Sequence, residues 1–157
     1  MPLMEEIVYR RADVADVPAL VELRAAFLDE VAGADPADPA LREALTRYFS
    51  AAVPNGEFIA FLAVADNHVI ASSGLVYHRH PPSPRNLQGL EAYVMNMYTV
   101  PDWRGRGIAA ALLKELAAVA RQSNCCRIRL HAFPAAVSLY ARAGFITVNG
   151  EMEIDWQ

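Results

Sequence analysis

The chain has 157 residues, 54% of them hydrophobic and 20% charged, with a formal net charge of −4. That length suits about one domain with a core that needs no staples, and the acidic balance argues against a nucleic-acid binder. No stretch approaches the roughly 18 uninterrupted apolar residues of a membrane span.

The opening MPLMEEIVYRR places two glutamates where a secretion signal needs a basic end and an apolar run, so a cytoplasmic location is expected. Cys125 and Cys126 are adjacent, and neighbours in an extended segment point to opposite faces. Two reduced, mostly buried thiols are expected, in keeping with a reducing compartment.

In chain order, Ile7 to Arg11 reads as a strand, followed by a helix with Asp13 or Asp16 as cap and Pro18 in its first turn. GADPADP, Gly33 to Pro39, breaks it, and Asp38 caps a second helix that Pro54, Asn55 and Gly56 end. Two apolar runs, Glu57 to Ala65 and one ending near Tyr77, are joined by Asp66-Asn67, which is a hairpin signal. The proline-rich stretch His78 to Gly89 reads as a loop, and Glu91 to Val100 as a strand. A helix then runs from Gly107 to about Gln122 on a stripe of Ile108, Leu112, Leu113, Leu116, Val119 and Ala120. Cys125 to His131 is predicted as a short strand, Ala135 to Ala143 as a short helix, and Phe145 to Trp156 as two last short strands around Asn149-Gly150. Residues 1–157 therefore read as a single domain with no repeat and no low-complexity tract.

The most informative stretch is VPDWRGRGIAAALL, Val100 to Leu113. Gly105 and Gly107 leave little side chain above a helix N-terminus, where free N–H groups and the helix dipole favour an anion. Arg104 and Arg106 add positive charge, so a phosphate or pyrophosphate is the natural guest. A dinucleotide fingerprint competes, because Ala110 is tolerated at its third glycine position; however, such a loop closes the first strand of a βαβ unit, and this one follows a hairpin and a fourth strand. A phosphate-binding P-loop lacks its Gly-Lys-Ser/Thr ending here. An RNA-binding use of Arg-Gly-Arg-Gly conflicts with the net negative charge.

Arg104-Gly105-Arg106-Gly107-Ile108-Ala109, placed after MYTVPDW and before LYARAGF, resembles the central motif of the GNAT superfamily of acyl-CoA-dependent N-acyltransferases, and the likeness spans nearly the whole chain. The resemblance implies an α/β (α+β type) fold, with a mixed, mostly antiparallel, splayed sheet of about seven strands flanked by about four helices. It implies acetyl-CoA as cosubstrate and no metal. The loop donors for its pyrophosphate would be Arg104, Gly105, Arg106, Gly107, Ile108, Ala109 and Ala110, and the strand residues pairing with its pantetheine arm would be Met97, Tyr98 and Thr99.

Tyr140, in LYARAGF, matches the tyrosine that in many members protonates the leaving thiolate, and a phenol with a free pKa near 10 suits that task. Glu91, at the start of the strand leading to the cofactor, is a candidate carboxylate that could take the amine proton, directly or through water, or an exposed strand-start glutamate; no single base is read from the sequence. His78, His80 and Asn96 are further candidates for handling a proton or orienting substrate. Many members carry Asn where this chain has Phe133, so that contact is lost or replaced by an apolar one. Arg127 and Arg129 alternate with Ile128 and Leu130, as on a strand with one solvated face.

The expected reaction is direct acetyl transfer to a primary amine on a small molecule or peptide, the alternative being a noncatalytic acyl-CoA-binding regulatory module. Neither a nucleic-acid nor a membrane partner is expected, and the resemblance allows a homodimer. Acidic residues of the first two helices, among them Glu22, Asp29, Glu30, Asp35, Asp38 and Glu43, would attract a cationic amine or form a solvated face.

Overall fold

The computed structural model describes residues 5–157. The first strand, β1 (Val8–Arg11), leads into a single 3-10 turn at Val14–Asp16 and then α1 (Val17–Ala32). That junction is strongly tied. Asp13 caps the turn by accepting from the Ala15 N–H, and the Asp16 carboxylate accepts from the Asp13 N–H at 2.8 Å. Arg10 closes a fork on the same carboxylate at 2.7 and 2.8 Å.

Helix α2 (Pro39–Asn55) starts as expected, with Asp38 accepting from the Ala40 N–H and Pro39 in the first turn. Strands β2 (Phe58–Ala65) and β3 (His68–Arg79) form the expected hairpin, with Asp66 and Asn67 both at positive φ, as a two-residue turn of this hand requires. Then come β4 (Leu90–Thr99), α3 (Ile108–Gln122), β5 (Ile128–Leu130) and α4 (Val137–Arg142).

The sheet runs β1-β2-β3-β4-β5; all neighbours are antiparallel except β4 and β5, which are parallel. Among the described residues it is thus a mixed sheet of five strands with four helices, not about seven strands. The two predicted last strands do not form. Their alternation is present, but Ile146, Val148, Met152, Ile154 and Trp156 are all exposed, Trp156 at 89%. Alternation makes a strand only where one face is buried and an edge offers a ladder, and β5 offers just three residues.

The sheet separates two faces. Val17, Leu20 and Val21 of α1 share a core with Phe49, Phe58 and Leu62, whereas Leu113 and Leu116 of α3 share one with Ile59, Leu75 and Val94. Leu112 and Leu116 are fully buried, and each such side chain contributes on the order of 1.5–3 kcal/mol. Packing therefore holds α3 in place, since Gly107, its N-cap, provides no side-chain cap. Of the adjacent thiols, Cys125 is half-buried and Cys126 exposed, so only the first approaches the buried state predicted.

Candidate active site

Strand β4 positions the site through two irregularities. Its ladder with β5 covers Ala92, Tyr93 and Val94 only, so beyond Val94 the two strands part. On its other side the register with β3 shifts between Met95 opposite Gly74 and Tyr98 opposite Ser72, leaving an extra residue. Asn96 lies in that bulge at φ 59°, a left-handed conformation that Asn tolerates better than most residues. Ser72 Oγ donates to the Asn96 carbonyl at 3.1 Å. The Asn96 amide itself is 3% exposed and neither its Oδ1 nor its Nδ2 has a partner. An unmade buried hydrogen bond costs about 1–3 kcal/mol per group, so this side chain is held at a cost.

A cavity of about 1410 Å³ opens between the parting strands. Met97, Tyr98 and Thr99 line it from β4, Gly105 and Gly107 from the loop, and Ile108, Ala109 and Ala110 from the first turn of α3. Gly105 and Gly107 have φ of 76° and 79°, which only glycine adopts without strain, and the space above both is open. No side chain caps the first turn of α3, whose residues Ile108, Ala109 and Ala110 line the cavity, the arrangement of a helix-start anion site. The donor set and the open glycine cradle fit a pyrophosphate.

The two loop arginines do other work. Arg104 donates from Nε to the Thr99 carbonyl at 2.8 Å and forks onto Glu30 of α1 at 2.6 and 2.9 Å, with its guanidinium also over Tyr98. The pairing with Glu30 lowers that carboxyl's pKa and raises that of Arg104. Arg104 is thus a strut between α1, the end of β4 and the loop. Arg106 does not line the cavity; it stacks 4.5 Å over Trp103.

Tyr140 of α4 lines the cavity at 8% exposure, edge-on to Phe145, and burial pushes its phenol above the ordinary value. Glu91 is not among the lining residues. Its carboxylate is held by Arg127 at 3.1 Å, Arg129 at 3.3 Å and His80 at 3.4 Å, so the two strand arginines are not simply solvated. His78 stacks on Tyr93.

Sequence reasoning passed over Arg24, Phe27 and His131, which also line the cavity. Phe27 of α1 meets Tyr98 and Phe133 edge-on at 6.4 and 6.1 Å, and His131 meets Phe133 at 5.3 Å. Phe133 therefore joins an aromatic wall across the cleft. The one advance signal was the i, i+3 spacing of Arg24 and Phe27 on a helix whose other face is apolar. Among the described residues no helix is long and apolar enough to cross a membrane, and no group of His, Cys, Asp and Glu could hold a metal ion.

A sheet that opens beside a bulged strand and feeds it through a glycine loop into a helix start defines an acetyltransferase fold. The family model for the GNAT acetyltransferase family matches residues 19–145, and the chain belongs to that family. It is 31% identical, with a TM-score of 0.87 and 96% of each chain covered, to a predicted acetyltransferase from Clostridium acetobutylicum solved with acetyl-CoA. A GCN5-related N-acetyltransferase from Ralstonia eutropha JMP134 is 24% identical, with a TM-score of 0.83 over 96% of this chain and 99% of that one. Glucosamine-6-phosphate N-acetyltransferase from Arabidopsis thaliana, 13% identical over 98% of this chain and 100% of that one, shares the fold at a TM-score of 0.76. No curated protein matches the chain.

Proposed function

We propose that this protein is an N-acetyltransferase that uses acetyl-CoA to acetylate a primary amine by direct transfer. The observation that carries the reading is the single cavity in which the open edge of β4, the glycine cradle and the buried Tyr140 phenol meet. Acetyl-CoA, when bound, supplies an acyl group activated as a thioester. Backbone N–H groups of Met97 to Thr99 and of the loop hold and orient it, and bringing it beside the amine supplies much of the rate. A strand-end N–H near Thr99 polarises the carbonyl; as the C–N bond forms and the C–S bond breaks, the amine loses its proton through water to solvent, and the Tyr140 phenol protonates the departing thiolate and retakes a proton from solvent. Glu91, engaged by two guanidinium groups and a histidine, is an anchor for β5 on the start of β4, and a base role for it would require a water chain from the cavity.

Calorimetry with acetyl-CoA and steady-state CoA release over an amine panel test the proposal together. Micromolar binding with CoA release that depends on both amine and enzyme is expected. Binding with no turnover on any amine would instead favour a regulatory acyl-CoA-binding module, and no binding would overturn both.

A further inference from the structure

The charged side chains on the cavity wall are Arg24, Glu30, Arg104, Lys114 and Arg142. Glu30, the single acid among the described residues of that wall, is taken by both terminal nitrogens of Arg104, so that pair cancels. Arg24, Lys114 and Arg142 form no ion pair with any described residue. The remaining charge of the wall is positive throughout. Lys114 on α3 and Arg142 on α4 lie on the face of the sheet where the glycine cradle starts α3, and they suit the phosphates of the cosubstrate.

Arg24 lies on the other face, on α1. Its guanidinium is half-buried over the Phe27 ring, 5.4 Å from the centroid, with no carboxylate to meet it. Desolvation lowers its pKa, and the titratable group acting on it is the Tyr48 phenol of α2, itself raised by burial and by Glu57. A cation held half out of water without a partner is a costly arrangement unless a ligand supplies the anion.

Acids of the first two helices do not offset this. Glu22 pairs with Arg42 and Glu43 with Arg47, and neither glutamate lines the cavity. Asp35 and Asp38 accept from backbone N–H groups, and neither they nor Asp29 line the cavity, so a polycationic acceptor would meet unpaired cations on entering.

We infer that the acceptor is a small amine that also carries an anionic group, a carboxylate or a phosphate, held by Arg24. This deepens the transferase reading above and rests on it. A guanidinium fork matches either anion.

The test pairs alanine, methionine and phenylalanine each with its carboxamide, and O-phosphoethanolamine with ethanolamine, with spermidine as the cationic member. CoA release gives kcat/KM, and calorimetry on the CoA complex gives amine affinity without requiring turnover. The anionic member of at least one pair should exceed its neutral partner by at least about tenfold, and which pair does so separates carboxylate from phosphate. In Arg24→Gln that ratio should fall to about one through KM while acetyl-CoA affinity stays within about twofold, and Arg24→Lys should recover part of it. Preference for carboxamides or spermidine, or a ratio unmoved in Arg24→Gln, overturns the inference. If acetyl-CoA binds and nothing is acetylated, the transferase reading fails alone; anionic amines must then still bind the wild-type CoA complex and lose that binding in Arg24→Gln, and their failure to bind overturns the inference too.

Discussion

Single residues in this cavity separate binding from chemistry. Tyr140 lies among apolar neighbours that raise its pKa, so its phenol stays protonated to a higher pH than a free one and is ready to give that proton away. Tyr140→Phe should lower kcat by at least about tenfold with acetyl-CoA affinity nearly unchanged, and in the wild type the alkaline fall of kcat should lie above the ordinary tyrosine range. Unchanged turnover in the variant would remove Tyr140 from the proton path. Gly107 and Gly56 allow a cleaner comparison, because their φ values are 79° and 80° and both face open space. Alanine at either should cost about 1–2 kcal/mol in chemical denaturation, from the left-handed backbone alone. Only Gly107→Ala should also weaken acetyl-CoA in calorimetry, since its methyl enters the cradle.

At the level of elements, the junction of β1 with α1 depends on one carboxylate. Asp16 is buried and accepts from Arg10 and from the Asp13 N–H, and the Arg10 hydrogen bonds hold its pKa below the usual carboxylate value. A depressed folded-state pKa stabilises the fold above the unfolded pKa near 4, and that contribution is lost as pH falls toward the folded value. Asp16→Asn should therefore cost about 1–3 kcal/mol at pH 7 by denaturant titration, with the gap to wild type narrowing below about pH 4. A gap independent of pH would mean that packing, not the charge, holds the junction. Because α1 also carries Arg24, Phe27 and Glu30, tightening its start fixes one wall of the cavity.

Across the whole molecule, what could be read in advance was what is local in the chain. Asp38 with Pro39, the Asp66-Asn67 turn and the Gly105-Gly107 loop each declare their backbone within a few residues, and all three stand where the pattern put them. What could not be read depends on distant partners. Arg104 has the composition of a phosphate ligand but finds Glu30 from a helix 74 positions earlier. The tail alternates like a strand and has no edge to use, and Glu91 opens the strand that leads to the site yet is gathered by two arginines of β5 and its flank. The extra residue at Asn96 is invisible to alternation, and counting shows what it does. Before it, even-numbered side chains, Ala92 and Val94, belong to the core under α3; past it odd-numbered Met97 does, while Tyr98 turns to Phe27 of α1. The strand changes parity at one position. Removing Asn96 would therefore leave every downstream side chain on its own face while straightening the bend, so the chain could still build its sheet and lose only the gap. Folding and cleft-making are separable in this protein, and the point of separation is a single uneven count.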